Sequence, residues 1–174
     1  MQKLRFLPSL MTALTALTLS SCSNIITEQY EATALTTYAW QVEYANNLTN
    51  ERSPRVETFA TASALNRNGL KPPGAVIGPD DRGLWWPTLP PRPSVDEVEG
   101  RKRLREEVGK PELQKTVKYQ MSYGVGEQKR TLSTNHEVYR QVVKAYPSKT
   151  PLQLTLGVND NSVEKAQRVD SINK

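Results

Sequence analysis

A proline-rich stretch from Gly69 to Pro93, GLKPPGAVIGPDDRGLWWPTLPPRP, constrains the fold of this chain more than any other feature. It holds seven of the chain's twelve prolines. Proline lacks a backbone N–H and fixes φ, so neither a helix interior nor a central strand can run through such a stretch. Residues 50–68 show only a weak helical pattern. We therefore expect one irregular segment over residues 50–93, and segments of this length are usually functional or disordered.

Two adjacent tryptophans lie within this stretch, in LWWPTLPPRP at residues 84–93. Large apolar side chains are rarely left in water without a partner. Either the rings cover the protein's own core, or the segment docks on another protein, as extended proline-rich peptides dock on aromatic-lined grooves. The sequence leaves both alternatives open. The candidate partner-binding residues are Trp85, Trp86, Pro87, Pro90, Pro91 and Arg92.

The sequence on both sides of the proline-rich stretch predicts an α+β fold. Apolar residues recur at helical spacing between Ala34 and Ala45, which predicts an N-terminal helix within residues 22–49. Ser94 and Glu97 form a capping box that opens a polar helix. The predicted elements that follow are strands at 116–123 and 127–133, a helix at 135–146, a strand at 151–158 and a closing helix at 162–172. This order indicates a small α+β domain over residues 94–174, with one sheet and its helices on one face.

The N-terminus has the features of a secretory signal. Lys3 and Arg5 precede an uncharged, mostly apolar run from Phe6 to Leu19, and small residues follow. The run is shorter than the roughly 20 apolar residues that a membrane-spanning helix needs. We expect the cell to export the protein and to remove residues 1–21 as a signal peptide.

The sequence LSSC at 19–22 resembles the lipobox of bacterial lipoproteins, and Cys22 is the only cysteine in the chain. The resemblance covers residues 1–22 alone. It implies that a diacylglyceryl group is attached to the Cys22 thiol, which would hold the protein on a membrane, facing the periplasm or the exterior. Ser23 stands where an aspartate would imply retention in the inner membrane, so the resemblance favours the outer membrane. The rest of the chain resembles no family.

Composition argues against several classes of function. Without Lys3 and Arg5 the chain keeps 21 of its 23 basic residues against 18 acidic ones, and so small an excess does not predict nucleic-acid binding. The single histidine, His136, has no second histidine or cysteine near it, so a zinc site lacks its usual ligands. We predict no catalytic residue, no metal and no cofactor, and hence a protein that is not an enzyme.

These features predict a lipid-anchored envelope protein with a structural or partner-binding role at a membrane surface. The alternative is a module that binds a small envelope ligand such as a glycan, with the tryptophan pair, Asp80 and Asp81 lining its site. Adjacent aspartates between glycine and proline are more often turn formers, because each can bond its own backbone. An enzyme of unknown class is the third hypothesis.

Overall fold

The computed structural model describes residues 23–50 and 52–169, and about half of the molecule is β-strand. The strands are β1 (Asn24–Thr27), β2 (Tyr30–Ala45), β3 (Arg55–Arg67), β4 (Val76–Ile77), β5 (Trp86–Pro87), β6 (Glu107–Val108), β7 (Glu112–Val125), β8 (Gln128–Thr134), β9 (Leu152–Leu156) and β10 (Ser162–Arg168). The helices are α1 (Val95–Glu99) and α2 (His136–Ala145).

Eight of the strands form one mixed sheet. Their order is β1-β9-β10-β8-β7-β2-β3, and β6 pairs with β2 beyond the end of β7. The β10–β8 pair is parallel, whereas the other pairs are antiparallel. The strands β4 and β5 form a separate two-stranded sheet. The large sheet therefore has two edge strands, β1 on one side and β3 on the other.

The prediction of an α+β fold is wrong, because the described part of the chain is mostly β and has one helix of appreciable length. The expected N-terminal helix is β2. Residues four apart lie on one face of a helix and also on one face of a strand, so the spacing of Ala34, Tyr38 and Val42 fits both. The threonines and aromatic residues between them favour a strand, and β2 pairs with β7 along its length.

The segment expected to be irregular over residues 50–93 contains a long strand. β3 pairs antiparallel with β2, and the pairing register shifts between Ala39 and Gln41 of β2. Only the proline-rich part lacks long elements, and the two-residue strands β4 and β5 lie there. The weak helical pattern in residues 50–68 was misleading because Ala62, Ala64 and Asn66 also alternate as inward-facing strand residues.

Predictions for the C-terminal part were mixed. β7, β8, α2 and β9 lie close to the elements expected between residues 116 and 158. The expected closing helix is wrong, since residues 162–168 form β10 and lie between β9 and β8. The polar helix after Ser94 is only α1: the capping box of Ser94 and Glu97 is present, but the helix ends at Glu99.

The core lies between the inner face of the sheet and α2. α2 contributes Val138, Tyr139, Val142 and Ala145 to it, and β9 contributes Leu152, Leu154 and Leu156. A second, smaller cluster forms around Tyr44 of β2, whose hydroxyl donates a hydrogen bond of 2.8 Å to the carbonyl of Val98. This bond holds α1 against the far end of β2.

Candidate partner-binding surface

The proline-rich stretch packs against the inner face of the sheet. Trp85 and Trp86 are half-buried, whereas Pro87 and Pro90 are buried. Leu84, just before the tryptophans, is fully buried and belongs to the main core. Pro91 and Arg92 are exposed. Of the six candidate partner-binding residues, these last two alone point mainly to solvent.

The main chain of Trp85 is fixed to the sheet by a buried polar network. The Asn66 side chain accepts a 2.7 Å hydrogen bond from the Trp85 N–H and donates one of 2.9 Å to the Trp85 carbonyl. The hydroxyl of Thr36 donates a second bond to the same carbonyl, at 2.8 Å. Both Asn66 and Thr36 are fully buried. The asparagine amide thus pairs with the segment as a neighbouring strand would.

The Trp86 ring is held on two sides. It stacks on Tyr38 of β2 with ring centroids 5.0 Å apart, and its indole N–H donates a 2.8 Å hydrogen bond to Asp80. The other oxygen of Asp80 accepts from the Arg82 and Leu84 N–H groups. Although burial by itself raises the pKa of Asp80, the bonds from Trp86 and from the main chain outweigh it and hold the pKa below its ordinary value. Asp80 is therefore a turn former, and both its oxygens are engaged.

Trp40 receives the far end of the stretch. Its indole N–H donates a 3.0 Å hydrogen bond to the Pro90 carbonyl, and the Arg92 guanidinium lies 5.7 Å from its ring centroid. Such a distance is within the range of a cation–π contact. The contacts of Trp85, Trp86 and Pro90 thus support the alternative in which the stretch covers its own sheet. A role for Pro91 and Arg92 in partner binding stays a prediction.

The edge strand β3 offers a different surface. Asn68, just beyond it, donates its N–H to the Ala32 carbonyl at 2.9 Å, so even-numbered residues near this end point their main-chain groups towards β2. The main-chain groups of Thr61, Ser63 and Leu65 point away from the sheet. No hydrogen bond to those groups is found in the part of the chain that the structure describes.

A groove runs beside this free edge. Its volume is about 600 Å³. One wall is formed by β3 residues 63–67, and the other by residues 70–76. Pro72 and Pro73 have no N–H to donate, so this second wall is poorly suited to pair with the edge itself. The groove is therefore lined both by unpaired main-chain groups of β3 and by apolar side chains.

Exposed apolar side chains adjoin the edge on the outer face of the sheet. Leu35 and Leu65 are direct cross-strand neighbours on β2 and β3, and they are 36% and 44% exposed. Val56, nearer the start of β3, is 49% exposed. This surface was not predicted, because residues 50–68 were expected to belong to an irregular segment. The alternation of Thr61, Ser63 and Leu65 with small inward residues was the signal that could have revealed it.

A second concave site lies at the start of β2. It is a cleft of about 450 Å³ between the β1–β2 turn, the β7–β8 hairpin and the end of α2. Tyr30 and Tyr146 line it together with charged residues of both signs, including Glu31 and Lys149. The Tyr30 hydroxyl donates a 2.7 Å hydrogen bond to the Thr150 carbonyl, which fixes one wall.

The remaining sequence-level candidates are dispersed. His136 begins α2, and the centre of its ring lies 5.7 Å from the centre of the Tyr119 ring. Asp81 is exposed. Across residues 23–50 and 52–169, no three His, Cys, Asp or Glu side chains are grouped so that they could hold a metal ion. The same residues contain no helix that is long and apolar enough to cross a membrane. Cys22 lies outside the described residues.

Comparison with protein-family models, with curated proteins and with solved structures found no match.

Proposed function

We propose that this protein is a lipid-anchored protein of the bacterial envelope that binds a protein partner at a membrane surface. The lipid is on Cys22, and the domain faces the periplasm or the exterior, with the outer membrane favoured by Ser23. The free edge of β3 receives an extended segment of the partner. The observation that carries this proposal is the row of unpaired main-chain groups at Thr61, Ser63 and Leu65, beside an apolar groove.

An extended peptide is the occupant that suits this edge. Adding a strand to an open edge gains main-chain hydrogen bonds, and side-chain pockets beside the edge supply specificity. Natural edges that must stay free are protected by lysine, proline or inward-pointing charge. β3 carries no charged residue and no proline from residue 58 to residue 66. Residues 61–66, beyond the irregular pairing opposite Ala39–Gln41, are therefore protected by neither charge nor proline.

The groove walls indicate the chemistry of the partner segment. Leu65, Leu70 and Val76 offer apolar contact. The Arg67 side chain is paired with Glu31 at 2.7 Å, so it adds little uncompensated charge. Lys71 also lines the groove. We expect an extended segment with apolar residues at alternate positions, since every second side chain of an added strand would point towards the groove.

The edge is tested by placing a photoreactive amino acid at Leu65 in cells and identifying the protein that becomes crosslinked. The partner is then purified and binding is measured with the Ser63→Lys variant, because a lysine on an edge strand discourages strand addition. Ser122→Lys is a matched control. Ser63 and Ser122 both form exposed hydroxyl pairs on the sheet, with Thr37 at 2.8 Å and with Thr131 at 2.7 Å, but Ser122 lies on the interior strand β7.

The proposal expects Ser63→Lys to weaken binding strongly and Ser122→Lys to leave it unchanged. Addition of the partner should also slow amide exchange at Ser63 and Leu65. Equal binding by both variants, with no new protection at these amides, would contradict the edge as the binding site. Crosslinks to a second copy of this chain would show that the edge mediates self-association rather than binding of a different protein.

The anchor is tested separately with Cys22→Ser. The wild-type protein should incorporate labelled palmitate and float with membranes, whereas the variant, which lacks the thiol, should do neither. Retention of label in the variant would contradict lipidation at Cys22. This result is independent of the edge, so the two parts of the proposal can fail separately.

The cleft beside Tyr30 supports a second candidate function, binding of a small envelope ligand such as a glycan. Its volume of about 450 Å³ lies within the range of small-molecule sites, and it combines rings with polar side chains. The tryptophan pair and Asp80 are less suited to that role, since Asp80 is already bonded on both oxygens. Soluble cell-wall saccharides should then raise the unfolding temperature of the wild type but not of Tyr146→Ala.

A further inference from the structure

We infer that the β1 edge of the sheet lies against the headgroup layer of the membrane in which the lipid of Cys22 is inserted. This inference rests on the proposed lipid anchor. It goes beyond tethering, because it specifies which surface of the domain faces the bilayer and which faces away.

The folded domain begins immediately after the proposed anchor. The Ser23 carbonyl accepts a 2.9 Å hydrogen bond from the N–H of Leu156, a fully buried residue of β9. From Asn24 to Thr27 the chain is then paired with β9. Cys22 is the next residue before Ser23, and consecutive Cα atoms are about 3.8 Å apart. A lipid on Cys22 therefore leaves no linker, and the domain cannot move away from the bilayer without losing the β1–β9 pairing.

The outer face of this edge suits contact with lipid headgroups. Two cross-strand rows reach the β1 edge on that face, and they carry polar, apolar and cationic side chains but no carboxylate. The rows are Asn24–Thr155–Lys165 and Ile26–Gln153–Gln167. The row between them turns inward and packs into the core through Ile25, Leu154 and Ala166.

Two apolar side chains near the anchor are left in solvent by the fold. Ile26 is 65% exposed, and Val158, two residues after Leu156, is 62% exposed. Along a strand each residue advances about 3.3 Å, so Ile26 lies about 10 Å from Ser23. The headgroup region is about 5–7 Å deep on each side of a bilayer. A strand lying along the surface would place Ile26 within that region.

This orientation gives the two sheet edges opposite roles. Six strand-to-strand intervals of about 4.8 Å separate β1 from β3 in the order of the sheet, roughly 29 Å along its surface. With β1 held at the membrane, the free edge of β3 is carried away from the lipid. A partner could then reach β3 without competing with the bilayer.

Fluorescent labelling of the lipidated, full-length protein tests the inference. Because the lipid occupies the Cys22 thiol, a cysteine introduced elsewhere is the single reactive one. The variants are Ile26→Cys and Val158→Cys, with Leu65→Cys as the control, since it also lies exposed on the outer face of the sheet but at the far edge. Each carries an environment-sensitive dye and is placed in vesicles of phosphatidylethanolamine and phosphatidylglycerol that contain quencher-labelled lipid.

We expect a blue shift of emission and strong quenching at positions 26 and 158, and neither effect at position 65. If the protein floats with the vesicles but the dyes at 26 and 158 behave like the one at 65, the membrane-facing β1 edge is overturned while the anchor stands. If the protein carries no lipid and does not float, the anchor fails and this inference fails with it. Unfolding temperatures equal to that of the wild type establish that none of the three variants is misfolded.

Discussion

Arg55 of β3 donates two hydrogen bonds to the Glu106 carboxylate, from Nε at 3.0 Å and from Nη2 at 2.6 Å. The same guanidinium is also paired with Glu57, and it lies 4.3 Å from the centre of the Tyr44 ring. A bidentate arginine–carboxylate pair is a stronger and more specific contact than a single hydrogen bond. It fastens the loop after α1 to the start of β3, next to the small core around Tyr44.

This pair predicts a loss of stability in acid. The hydrogen bonds from Arg55 lower the pKa of Glu106 from 4.5 to about 2. A carboxylate with a lower pKa in the folded state contributes stability above pH 4.5, and this contribution is lost as the pH falls towards 2. We expect the wild type to lose stability over that window more steeply than Glu106→Gln. The free energy of unfolding, measured by urea denaturation at each pH, provides the comparison.

A matched removal of one carboxylate provides the control for this experiment. Glu112→Gln lies on an exposed position of β7 and forms no bond to Arg55. Its pH profile should follow the wild type. Identical profiles for Glu106→Gln and Glu112→Gln would show that the Arg55 pair does not couple to folding.

Asn66 should be one of the most sensitive polar residues of the protein. Asn66→Ala removes the partner of the Trp85 N–H in a buried setting, and an unsatisfied buried group costs about 1–3 kcal/mol. We expect a loss of about 2 kcal/mol in the free energy of unfolding, measured by urea denaturation. The exposed Asn50→Ala should lie within about 0.5 kcal/mol of the wild type. A neutral Asn66→Ala would mean that the proline-rich stretch is not held by this network.

Trp86→Ala distinguishes the two alternatives for the tryptophan pair. If the ring covers the sheet, its loss should cost about 3 kcal/mol, the lower end of the range for removing a large aromatic side chain, because the ring is only half-buried. If the ring serves a partner alone, the isolated domain should be unaffected. Thermal unfolding measures the difference, and Leu104→Ala, at a side chain that is 90% exposed, is the control. Combination with Tyr38→Ala should show a coupling of about 0.5–1.5 kcal/mol from the ring stack.

Amide exchange along β3 should alternate. The amides of Ala62, Ala64 and Asn66 face β2 and should exchange slowly, whereas those of Thr61, Ser63 and Leu65 face solvent and should exchange quickly. Residue-resolved hydrogen exchange by NMR measures this pattern in the free protein. Uniform protection of all six amides would show that the edge is already occupied, by another copy or by another part of the chain.

The sequence alone determined the features that depend on local chemistry. The prolines between Gly69 and Pro93 limited regular structure there to two-residue strands, and the capping box of Ser94 and Glu97 opened α1. The alternation from Val117 to Tyr123 gave β7, and the apolar face of residues 138–145 gave α2. In each case the pattern is contained in one short stretch of sequence, although β7 also depends on its pairing with β2 and β8. The lipobox resemblance at Cys22 is equally local and stays a prediction.

The tertiary structure decided what local pattern could not. Ala34, Tyr38 and Val42 satisfy both helical and strand spacing, and only the pairing of β2 with β7 and β3 selects the strand. β10 likewise owes its conformation to its neighbours β9 and β8. The position of Trp85 depends on Asn66, nineteen residues earlier. Strand pairing and buried polar contacts join residues that are distant in the chain. The free edge of β3 could therefore be identified only from the complete strand order of the sheet.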